Sequence, residues 1–131
     1  MLIREFISET NKNQMISRLL KHYKVGSVKL KYKSMKDFAH FDVDRGELQL
    51  STRYKVIKER DVKEFLITIL HEIYHAMDSK KYGKKKFVRM YTNAGQEQED
   101  KGKDFHDNNP FEIAAERWAR REVNKYIKKY K

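Results

Sequence analysis

The stretch TILHEIYHAMD, residues 68–78, sets His71 and His75 four residues apart, with Glu72 directly after the first histidine. On an α-helix, side chains at i and i+4 project from one face, so two imidazoles so spaced can share one ion. A catalytic Zn²⁺ takes about three protein ligands and leaves one position open for water, whose pKa it lowers to near 7. Glu72 is then placed to act as the general base that takes the water's proton and later returns it. The remaining question is where a third ligand comes from.

The stretch NPFEIAAERWA, residues 109–119, offers one. At roughly 100° per residue, Glu112 and Glu116 lie within about 40° of each other on a helix. Ala115, Ala119, Val123, Tyr126 and Tyr130 share their side, and Arg117, Arg121, Lys125 and Lys128 take the opposite one. Two carboxylates thus sit on the face expected to pack inward, where an unpaired carboxylate is costly. Zn²⁺ held by Glu112 as third ligand, with Glu116 accepting the ring N–H of a ligand histidine, answers that cost. The alternatives are ion pairs of the glutamates with Lys or Arg across a helix interface, and a solvated face for the histidines. Asp78 is a rival ligand three residues after His75, but its short side chain reaches such an ion poorly, and a structural hydrogen bond suits it better. His22 and His40 read as surface or packing residues. His106, in the segment leading to the last helix, is the candidate transition-state donor.

The elements that must position these groups can be read from periodicity. Residues 9–24 form a helix on Met15, Ile16, Leu19, Leu20 and Tyr23, with Thr10 or Asn11 as cap, broken at Gly26. SVKLKYK alternates Val28, Leu30 and Tyr32 with lysines, as a half-buried strand does. FAHFDV and ELQLST follow, joined by a turn at DRG where Gly46 can take positive φ. A small antiparallel sheet of about three strands results. From Asp61 an apolar stripe of Val62, Phe65, Leu66, Ile69, Leu70, Ile73, Ala76 and Met77 marks the helix carrying the histidines. His71 and His75 lie on its other side with Glu64, Thr68 and Asp78, facing a cleft or solvent. Residues 79–108 show no strong period and read as a long functional loop, with KFVRMY as a short strand. The last helix runs from about Pro110 to Tyr130, capped by Asn109. The fold class is α+β, as a single domain over 1–131.

The composition narrows the rest. There is no cysteine, which excludes a disulfide scaffold and any cysteine-ligated metal. No apolar run approaches the roughly 18 residues that span a bilayer, and the first residues meet charge too early for a signal peptide, so the cytoplasm is the expected location. Thirty Lys and Arg against 19 Asp and Glu give a net charge of +11, which favours acidic partners, nucleic acid among them. A lysine-rich solvated surface is the plainer alternative, since no recognised nucleic-acid motif accompanies the charge.

With TILHEIYHAM and NPFEIAAERWA the chain resembles the gluzincins, HExxH metallopeptidases whose third ligand is a glutamate on a downstream helix. It is most similar to the single-domain minigluzincins and to the ImmA/IrrE and SprT-like peptidases. It departs from the metzincin pattern, because the sixth residue after His75 is Lys81, and from a typical SprT-like pattern unless His106 supplies the downstream histidine. The resemblance implies a minimal zincin-like domain and zinc-dependent hydrolysis of a peptide or protein substrate, with Glu72 activating water. It also implies that an edge strand, expected at 47–52, aligns substrate by backbone pairing. Such small domains can be latent, with a segment such as 79–108 occluding the site. Two other classes compete: a zinc protease recruited to nucleic acid by its basic surface, and an inert zincin-like interaction module.

Overall fold

The first helix, α1 (Glu9–His22), buries Ile16, Leu19 and Leu20, the apolar positions spaced at three and four residues. Thr10 and Asn11, expected as caps, lie inside its first turn. The computed structural model describes residues 9–54 and 57–127. Three strands follow: β1 (Lys29–Lys33), β2 (Ala39–Asp42) and β3 (Glu47–Ser51). In β1, Leu30 and Tyr32 are half-buried while the three lysines are exposed, as the alternation requires. The β2–β3 turn is held by Arg45 N–H donating to Asp42 Oδ1 at 3.0 Å, with Gly46 at φ 63°.

The sheet is mixed, not antiparallel throughout. Its order is β1-β3-β2, with β2 antiparallel to β3 but β1 parallel to it. Alternation reports which face a side chain takes; it is blind to which neighbour supplies the hydrogen bonds. Leu48, Gln49, Leu50 and Ser51 are all buried because β3 is the central strand. The segment 47–52 is therefore not an edge. The edges belong to β1 and β2.

The next helix, α2 (Val62–Tyr82), turns the predicted stripe onto the sheet and α1, burying Val62, Phe65, Leu66, Ile69, Leu70, Ile73 and Ala76. Asp61 occupies its N-cap position without a side-chain capping bond. Gly83, at φ 86°, ends α2 and starts α3 (Lys84–Asp100), so most of the expected loop is helix, KFVRMY included. The inward stripe of α3 is Phe87, Tyr91 and Gly95, four residues apart, and only Phe87 and Gly95 are buried. A stripe whose third member is glycine presents no hydrophobic period to read. A short connection then leads to α4 (Pro110–Glu122) and α5 (Asn124–Ile127). Val123 separates them while keeping helical dihedrals. Asn109 caps α4, its side chain accepting from Phe111 N–H at 3.0 Å. Lys128 and Tyr130, expected in the last helix, lie outside the described residues. Among the described residues no helix is long and apolar enough to cross a membrane.

Candidate metal centre

The centre forms where α4 crosses α2. Ala115 and Ala119, fully buried, carry only a methyl each and let the two helix backbones approach. Glu112 then reaches the histidine face of α2. His71 Nε2 lies 2.7 Å and His75 Nε2 2.9 Å from the same oxygen, Glu112 Oε1. One donor atom from each of the three residues lies within 4.8 Å of the others, so the group could hold a metal ion. Two ring nitrogens converging on one carboxylate oxygen need a proton on each ring; a divalent cation replaces both protons. Two imidazoles and a carboxylate are a donor set that suits Zn²⁺. His75 Nδ1 is buried and has no hydrogen-bond partner among the described residues.

Charge pairing dominates the electrostatics. Burial acts to lower the pKa of His71, but the hydrogen bond to Glu112, the charge of Glu72 and the hydrogen bond to Glu116 outweigh it, and the pKa rises to about 9. Burial acts to raise that of Glu112; the bonds from His71 and His75 overcome it and hold the carboxyl well below the usual range. Glu72 goes the other way. Burial pushes its carboxyl up despite the nearby histidines and the Phe41 N–H, which donates to Glu72 Oε1 at 2.8 Å. Its other oxygen, Oε2, faces the group at 3.8 Å from His71 Nε2.

Glu116 Oε1 lies 3.0 Å from His71 Nδ1, while its Oε2 is 3.3 Å from the Arg120 guanidinium. With 43% of its side chain exposed, it stands at the rim rather than on a buried face. His106, 64% exposed, brings Nε2 to 3.3 Å from Glu112 Oε2. Asp78 stays outside the group of three, and burial raises its pKa. His22 packs edge-on against Tyr23, and His40 is exposed on the cleft lining.

Tyr91 is the residue that sequence reasoning missed. Its phenol donates to Glu112 Oε2, and its carbonyl accepts from Asn109 Nδ2 at 3.1 Å. Burial and the Glu112 bond both raise its pKa. The available signal was its place midway between Phe87 and Gly95.

These groups line a cleft of about 600 Å³ with Ala39, His40 and Phe41 of β2, Phe87 and Val88 of α3, and the exposed Phe38. Because Phe41 N–H donates to Glu72, it does not bond β3, and strand alternation turns the backbone groups of Ala39 the same way. Among the described residues, the sheet edge beside the centre is β2. Comparison with protein-family models, curated proteins and solved structures finds no match for this chain.

Proposed function

We propose that the chain is a zinc-dependent endopeptidase of the gluzincin type. The observation that carries this reading is the convergence of His71, His75 and Glu112 from two helices, with Glu72 Oε2 beside them in an open cleft. Zn²⁺ bound there would polarise a scissile carbonyl and acidify water. Glu72 accepts the proton of the attacking water at Oε2, while Oε1 is fixed by the Phe41 N–H. The same carboxyl then gives the proton to the leaving amine.

An extended peptide aligns against β2, pairing with the backbone of Ala39, in place of the 47–52 edge. His106 and Tyr91, both directed at Glu112 Oε2, stand where donors to a developing oxyanion are useful. Glu116 orients His71 through Nδ1.

The test is metal content read together with turnover. Purified protein should retain about one Zn²⁺ per chain, and replacing His71, His75 or Glu112 by Ala should abolish retention. Glu72→Gln should keep the zinc and lower cleavage of an unstructured protein by orders of magnitude. Zinc-free wild type, or full activity in Glu72→Gln, would overturn the reading.

A further inference from the structure

The geometry points to Gly95 as a positioning residue: its missing side chain seats the Phe105 ring against α3 and so holds His106 beside Glu112. Gly95 is buried in the middle of α3, where glycine is a poor helix former and needs a packing reason. That reason is the ring. A Cβ at Gly95 would stand 2.5 Å from two Phe105 ring atoms and 2.6 Å from a third, closer than packed carbons come. The ring also packs with Tyr91, its centroid 6.1 Å away, so it cannot yield without leaving its seat.

Phe105 immediately precedes His106 in a short loop with its own internal ties. Asp104 Oδ1 accepts from His106 N–H at 2.9 Å and from Asp107 N–H at 2.7 Å, while Asn108 Oδ1 accepts from Asp104 N–H at 3.1 Å. These bonds shape the loop but reach nothing outside it. The ends of the turn are tied to α3 by Lys103 N–H donating to Gln98 O at 2.8 Å and Asn109 Nδ2 donating to Tyr91 O at 3.1 Å; between them the Phe105 ring seats the stretch next to His106 on α3, and the turn carries His106 Nε2 to 3.3 Å from Glu112 Oε2.

The assignment rests on the peptidase reading for its effect on rate, but not for its geometry. Its test uses Gly95→Ala and Phe105→Ala, which disturb the same seat from opposite sides. With Co²⁺ replacing zinc, His106 ring protons in the wild type should be shifted by the nearby paramagnetic ion. Both variants should bind Co²⁺ as the wild type does and lose that shift. In peptide turnover each variant should lower kcat roughly 100-fold, the scale of losing one transition-state donor, with little change in KM. Adding His106→Ala to either should cost nothing further. If Gly95→Ala keeps the His106 shift and kcat while melting at a higher temperature, Gly95 is only a helix position improved by alanine, and the assignment fails. A wild type without peptidase activity would sink the proposed function, and the cobalt shift would still decide the role of Gly95. If Gly95→Ala does not fold, Phe105→Ala carries the same expectation, and an unchanged His106 shift there overturns it.

Discussion

Glu116 stands one helical turn beyond Glu112, with one oxygen on His71 Nδ1 and the other near Arg120. An exposed ion pair with arginine contributes at most about 1 kcal/mol, so the Arg120 contact gives little reason for this carboxylate. If His71 is a metal ligand, as proposed, a hydrogen bond that fixes its ring does more, because it sets both tautomer and orientation. Glu116→Ala should therefore weaken zinc binding by roughly 10- to 100-fold while leaving the melting temperature of metal-free protein nearly unchanged. Competition with a chelator of known affinity checks this, and unchanged affinity would assign Glu116 to the surface pair alone. At this scale the sequence was informative about groups spaced along one helix, His71, Glu72 and His75 on α2 and Glu112 and Glu116 on α4, which the fold brings together. It was silent on Tyr91, whose partner Glu112 lies 21 residues away on another helix.

The distance between α2 and α4 is set by small residues. Ala115 and Ala119 have no exposed surface, and Val123 continues the same seam. Ala119→Leu adds three carbons where there is no room, which typically costs about 1–3 kcal/mol. It should also push α4 away from α2 and weaken zinc retention although no ligand is touched. Melting temperature and metal stoichiometry measured on the same variant check this; lost stability with full zinc affinity would show that the two helices adjust independently of the centre. The apolar stripe of α2 and the N-cap Asn109 with Pro110 of α4 were readable because each is a signal within a few residues. The helix α3 was not, since its inward positions are Phe87, a half-buried Tyr91 and a glycine.

Across the whole molecule, the pairing of His71 and His75 with Glu112 makes folding pH-dependent in a definable direction. Glu112, with a folded pKa below its ordinary 4.5, contributes stability above that pH and loses it on acidification. His71, raised from 6.5 to about 9, contributes stability that is complete below 6.5 and is lost as pH climbs through about 9. Glu72, raised by burial, acts in the same direction as His71. Zinc held by these residues would require them deprotonated, so its affinity should rise over the same range. The gap in melting temperature between zinc-loaded and chelator-treated protein should therefore widen from pH 6 to pH 9. The +11 net charge shrinks in both forms as pH rises and largely cancels from the comparison. A gap independent of pH would mean that the His71 proton is not displaced by metal. What the sequence determined by itself is local: the histidine and glutamate spacings, the amphipathic faces of α1, α2 and α4, and the alternation of the strands. Those patterns are written within a few residues and need no partner to be recognised. The tertiary structure alone decided that β1 pairs parallel to β3, that β2 is the edge beside the centre, and that Phe41 N–H, 31 residues from Glu72, holds its carboxylate. It also decided that α3 returns over the site with Tyr91 and the Gly95 seat. Each of these is a choice among distant partners, and periodicity carries no information about which distant partner a face will meet.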